Sequence, residues 1–182
     1  DNLTVTRTFT ITVNPVNDAP TLDQPDDVTI AEDAAEQTVS LTGISAGGGE
    51  TQSMLITATS DNAALITDPI VVYSSADASG SLKFTPTANL SGAAVITVVV
   101  TDSGFDGDLS TIEDNNSFTL TFTVTVNALN DVPTLDQPGD VTIDEDAPEQ
   151  TVILTGISAG GGEAQPLSIT ATSNNTAVID NP

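Results

Sequence analysis

The sequence predicts an all-β protein: a Greek-key β-sandwich of about seven strands, repeated in tandem with a period of 113 residues. Three observations predict it. Apolar residues alternate with Thr at a period of two, clusters of Gly, Asn, Asp and Ser separate the apolar runs, and no segment carries a helical period. The repeat is read by laying the chain on itself: residues 13–69 match residues 126–182 without a gap, identical at 41 of 57 positions. A repeat of this length is a whole domain, since solenoid periods run from about 20 to 50 residues. The chain therefore divides into residues 1–17, the final strand of a preceding repeat; 18–130, a complete repeat; and 131–182, the N-terminal half of the next.

Taken in order, Leu3, Val5, Phe9, Ile11 and Val13 alternate with Thr4, Thr6, Thr8, Thr10 and Thr12, with Arg7 interrupting the inward row. Within the complete repeat, strands are expected at 28–31, 38–44, 54–59, 70–74, 82–85, 93–101 and 118–126. The stretch 95–100 is almost continuously apolar and reads as a central strand. Phe118, Leu120, Phe122, Val124 and Val126 form the inward row of the last strand, and β-branched Thr residues suit its outer face. Turn clusters stand at 46–50 (AGGGE), 60–62, 78–81 and 102–108. Seven short strands in one repeat fit a sandwich.

Composition narrows function. With 2 Lys+Arg against 26 Asp+Glu, net −24, the surface has no basic patch for nucleic acid and no attraction to anionic lipid. Cations are the natural partners of such a surface. Cys and His are both absent, so thiolate and zinc sites are not expected. No apolar stretch reaches the roughly 18 residues of a membrane span, and there is no signal peptide or initiator Met, as in an internal excerpt. An enzyme is not expected, because Arg7 and Lys83 are the only basic side chains and His and Cys are missing. A glycosidase-type carboxylate pair stays formally open. Sugar sites usually present stacking aromatics, however, and here Tyr73 and five Phe, mostly at strand positions expected to be buried, are all there is.

Two stretches carry a resemblance. The run VVVTDSGFDGDLST…FTVTVNALNDVP resembles the closing segment of cadherin domains, and VTIAEDAAEQTVSLTGISA resembles their opening. Together with VNxxNDxPT and FTPTANLSG they are similar to the cadherin-like tandem repeats of large bacterial surface proteins and adhesins, over the whole chain. That resemblance implies an Ig-like, cadherin-like sandwich, an extracellular or cell-surface location, and Ca²⁺ bound where successive repeats meet. It also implies the ligands: the strand-ending Glu32 with Asp33, or Glu145 in the next copy; the linker pairs Asn17 and Asp18, Asn130 and Asp131; and Asp102, facing the upstream joint. One departure matters. The family's Asp-x-Asp is replaced in both copies by a Gly-rich AGGGE, which removes two carboxylates from each joint.

The residues alone point to the same ion, since calcium takes about 6–8 hard oxygens and Asn/Asp linkers offer them. Asp102, Asp106 and Asp108 also share one loop. Against this stands an ordinary reading: acidic Asx-rich loops are commonly solvated turns, and Glu32–Asp33 would then be a turn that keeps an edge strand soluble. The function expected is a structural, adhesive spacer in a surface fibre, its partners neighbouring repeats and other copies of itself. The alternative is a β-sandwich module that binds a glycan or a protein, homophilically or heterophilically, without metal. Formal glycosylation sequons begin at Asn2, Asn89, Asn115 and Asn174, and chance explains several in a chain this rich in Asn and Thr.

Overall fold

The computed structural model describes residues 1–180. Seven strands form: β1 (Val28–Ala31), β2 (Gln37–Leu41), β3 (Met54–Ser60), β4 (Ile70–Val72), β5 (Gly80–Phe84), β6 (Gly92–Asp102) and β7 (Ser117–Asn127). One sheet has the order β1-β7-β6-β3 and the other β2-β5-β4. All pairings are antiparallel except β1 on β7, which is parallel. Among the described residues no helix is long and apolar enough to cross a membrane.

The core lies between the two sheets and follows from the period-two pattern. In β6, Ala94, Ile96, Val98 and Val100 point inward and are almost fully buried, and Leu120, Phe122, Val124 and Val126 of β7 do the same. Ile56 and Ala58 of β3, and Leu41, Leu82 and Phe84 from the second sheet, close the layer. Each Val, Leu, Ile or Phe side chain buried this way contributes about 1.5–3 kcal/mol, and each Ala correspondingly less. β6 pairs on both sides, with β7 and β3, and so is the central strand the apolar run at 95–100 predicts.

Aromatic burial departs from the sequence reading. Phe84 and Phe122 are in the core, but Phe9, Phe105 and Phe118 are 85%, 51% and 38% exposed. Phe118 stands near the start of β7, where β1 does not reach, so its ring has one strand beside it instead of two.

Polar side chains finish the ladders where strands end. Thr123 N donates to Asp27 Oδ1 at 2.7 Å and Gln24 Nε2 donates to the Thr121 carbonyl at 2.8 Å, extending the cover of β7 beyond β1. Asp61 Oδ1 accepts from Val95 N and Asp68 Oδ1 from Ser60 N. The strands outside the complete repeat do not form. Leu3, Val5, Phe9, Ile11 and Val13 are three-quarters or more exposed, with no ladder partner. Residues 131–180 also lack a strand, and Asn181 and Pro182 of that segment lie outside the described residues.

What does recur is a local collar. Thr21 N donates to the Ser45 carbonyl at 2.8 Å, and Thr134 N to that of Ser158 at 2.9 Å. Asp23 N bonds the Thr42 carbonyl and Asp136 N that of Thr155, both at 2.9 Å. Gly43 and Gly156 both take φ +67°, and a Cβ on either would strike the carboxylate of Asp23 or Asp136. That carboxylate then accepts from the hydroxyl of Thr42 or Thr155.

Candidate functional site

Most of the acids singled out by sequence, Glu145 excepted, gather at the two ends of the sandwich. At the upstream end, Asp102 closes β6 and is fully buried. Its Oδ1 accepts from Asn17 Nδ2 at 3.0 Å, Gly104 N at 3.0 Å and Asn116 N at 2.9 Å, while its Oδ2 is buried with no partner. Asn17 is held further by Nδ2 on the Asp114 carbonyl, and its own carbonyl accepts from Asn116 Nδ2. Thus Asn17 and Asp102 meet as the resemblance implies, across 85 residues of chain.

Asp18 turns toward a different acid. Its backbone N donates to Glu50 Oε2 at 3.3 Å, and Gln52 Nε2 bridges that Glu50 oxygen and Asn17 Oδ1. The Gly-rich loop therefore does not leave the joint bare: Glu50 returns one carboxylate to it. Sequence reasoning took AGGGE as a loss and missed Glu50, Gln52 and Asn116. The signal was there in GGGExQ, which stands unchanged at Glu50 and Gln52 and again at Glu163 and Gln165.

The downstream end shows the same pattern with a second segment in place. Glu32, 3% exposed, accepts from Leu129 N at 2.7 Å through Oε1, while its own N donates to the Asn127 carbonyl. Asp33 Oδ1 accepts from Asn89 N at 3.1 Å. Asp131 N donates to Glu163 Oε2, and Gln165 Nε2 bridges Glu163 and Asn130 Oδ1. Asp131 Oδ2 is buried without a partner. Burial first, then the charges of Asp33, Glu163 and Glu32, push the Asp131 carboxyl above the ordinary carboxylate range. Asp131 thus lies in the field of three other acids, with no base named among the groups acting on it.

Glu145 is not brought into a site. It is exposed, because β7, which Glu32 lies against, has no counterpart beside Glu145 in these residues. Asp106 and Asp108 are committed to their own turn: Asp106 accepts from Asp108 N, and Asp108 from Ser110 N and Oγ. Among the described residues, no group of three or more Asp or Glu side chains is arranged to hold a metal ion as it stands. The donor chemistry at both ends nevertheless suits a hard cation: carboxylate, amide and carbonyl oxygens, with an orphaned buried carboxylate oxygen at each.

Beside the upstream end lies an open cleft of about 380 Å³, lined by Glu50, Gln52, Ser103, Gly104, Phe105 and Gly107 among others. Ser103 is fully buried, with its Oγ unpartnered, and Gln52 Oε1 is buried and unpartnered as well.

No protein-family model and no curated protein matches the chain. Among solved structures it is similar to domains 4 and 5 of the S-layer protein SbsC, at 18% identity and TM-score 0.41, over 62% of this chain and 53% of that one. It is similar also to domains 1–6 of the surface layer protein SbsC, at 18% identity and TM-score 0.43, over 70% of this chain and 16% of that one. For domains 4–9 the figures are 17%, 0.41, 88% and 26%. The chain thus spans about half of the shorter structure and 16% and 26% of the longer two.

Proposed function

We propose that this chain is a stretch of a tandem array of Ig-like, cadherin-like repeats, an extracellular structural spacer whose joints are stiffened by calcium. The observation that carries the reading is the downstream joint, where Asp131 is bonded to Glu163, lies in the field of Glu32 and Asp33 from the preceding repeat, and has its Oδ2 buried without a partner. Ionised together and unneutralised, these carboxylates repel across the joint and favour its bending. Calcium would supply the missing positive charge, with Glu32, Asp33, Asn130, Asp131 and Glu163 as the residues to hold it. At the upstream joint Asn17, Asp18, Glu50 and Asp102 take the same parts. The strand arrangement supports the fold side of this reading: β2, β5 and β4 in one sheet, β3, β6 and β7 in the other, is the B-E-D and C-F-G division of Ig-type sandwiches.

Calorimetric titration of the 182-residue chain with calcium tests the reading. Binding on the order of 10⁻⁴–10⁻³ M, the range of extracellular calcium modules, is expected. Asp131→Asn should weaken it and remove the calcium-dependent part of the thermal stability. In chelator the same variant should be as stable as the wild type or more so, because a like charge is gone. No binding up to 10 mM calcium (a ceiling about tenfold above the weakest such modules) would sink the cation reading.

A second reading, a glycan-binding module, is favoured by the cleft at the upstream end. Its half-exposed Phe105 ring offers a stacking face, and the Glu50 carboxylate on the same cleft offers an acceptor to sugar hydroxyls. Shifts of the Phe105 and Ser103 amide resonances on adding neutral oligosaccharides would favour it, and their constancy would count against it.

A further inference from the structure

The chain holds the same glycine loop twice, once with a neighbour against it and once without. Gly47, Gly48 and Gly49 have φ of +89°, +51° and +81°, and Gly160, Gly161 and Gly162 have +95°, +44° and +76°. The two loops also share their internal bonds, Glu50 N to the Gly47 carbonyl and Glu163 N to the Gly160 carbonyl, each 2.8 Å. In both copies the middle glycine leaves no room for a Cβ, which would strike Asp18 Oδ2 at Gly48 and Asp131 Oδ2 at Gly161.

Their surroundings differ. At Gly161 a Cβ would also come within 3.0 Å of Asn89 Oδ1, an atom from the preceding repeat. Gly161 and Asp131 are half-buried there, whereas Gly48 and Asp18 are exposed. Asn89 is itself exposed beside the loop. Among the described residues it is the one non-glycine with positive φ, +57°, and its N–H is tied to Asp33 Oδ1 at 3.1 Å. Asn tolerates that conformation better than other side chains.

We propose that the glycine loop is a socket for the Asn89 loop of the preceding repeat, so that neighbouring repeats dock protein on protein, independently of any cation. The Gly47–Gly49 loop is the same socket open: its occupant is the Asn-bearing loop, residues 86–91 in this repeat, of the repeat before it. The AGGGE segment is then an interface surface, and its middle glycine is the position where a Cβ would meet both the adjoining Asp131 carboxylate and the Asn89 side chain of the preceding repeat. Hydrogen bonds between side chains are not needed for this; shape is.

The chain has no Cys, so spin labels can be placed at Thr119→Cys, in the complete repeat, and Gln137→Cys, in the following collar. Distances between them are measured by pulsed electron resonance in chelator at about 1 M NaCl, where a Debye length of about 3 Å removes the repulsion among the acids. A single narrow distribution is expected for the parent chain. Asn89→Gly, which keeps the backbone conformation and deletes the side chain, should broaden it at least twofold, and so should Gly161→Ala. Gly48→Ala suffers the same local collision without the docked loop and should leave the distribution unchanged. A broad distribution in the parent chain, or a narrow one that survives Asn89→Gly, overturns the proposal. Equal broadening by Gly48→Ala and Gly161→Ala overturns it too. None of these outcomes depends on calcium, so they are separable from the titration above.

Discussion

At the scale of single residues the acids divide by what their oxygens face. Asp27, Asp61, Asp68 and Asp108 accept backbone N–H groups and act as ladder ends and turns. Glu32, Asp33 and Glu163 accept backbone N–H groups too, but their charges also bear on Asp131, whose Oδ2 has no partner. Asp108 and Asp131, one from each setting, are shifted in opposite directions, Asp108 down and Asp131 up. Asp108 is held below its ordinary 3.8, first by the Ser110 hydroxyl and then by the Ser110 N–H. Its ionised form therefore adds stability at pH values above 3.8, and that contribution is lost as pH falls through the lowered value. Ser110→Ala deletes the larger cause, so carboxyl resonances followed by pH titration should show Asp108 titrating higher than in the parent chain. An unchanged midpoint would mean that the backbone bond suffices. The Asn17–Asp102 pair was legible because a linker amide and a strand-ending carboxylate carry a recognisable spacing. Glu50 was not, because a single acid after three glycines reads locally as a loop; only its position against Asp18, 32 residues away, gives it a role.

At the scale of elements, all seven strands were legible, since alternation is written directly into each run. Observed ends differ from expectation by a few residues: β2 stops at Leu41 instead of 44, and β4 at Val72 instead of 74. Ile44 is buried but beyond the ladder, where the chain turns through Gly43. The third segment shows what alternation cannot supply. Val141 and Ile143 match β1, and Val152 and Leu154 match β2, yet neither pair of residues lies in a strand. β1 forms on β7 and β2 on β5, partners that lie far along the chain, whereas the collar is closed by bonds over about 20 residues. Local structure survives without the distant partner and a strand does not. Core and surface within one strand should separate accordingly. Ile96→Ala in the centre of β6 should cost about 2–5 kcal/mol by urea denaturation. Val95→Ala, next along but on the outer face, should cost well under half as much. Equal losses would show that β6 is not packed as described.

At the scale of the whole molecule, the repeat has two unlike ends that complement each other. One carries Asn17, Asp18, Asp102 and the glycine loop, and the other Glu32, Asp33 and Asn89. On the function proposed above, head-to-tail contacts whose rotation does not close a ring would extend into a filament of repeats. The parallel pairing of β1 with β7 acquires a meaning in that setting. Tension along a filament enters the repeat at the start of β1 and leaves at the end of β7. Because the two strands run the same way, that pull slides one along the other in shear. The four Cα pairs from Val28↔Val124 to Ala31↔Asn127 are then loaded together, with the bonds of Gln24, Asp27 and Glu32 on either side of them. An antiparallel pair held at one end would open bond by bond like a zip; this one has to give way all at once. Pulled singly by its termini, the repeat should yield in one abrupt step, and Asp27→Ala, which frees Thr123 N at the edge of that shear zone, should lower the force at which it does.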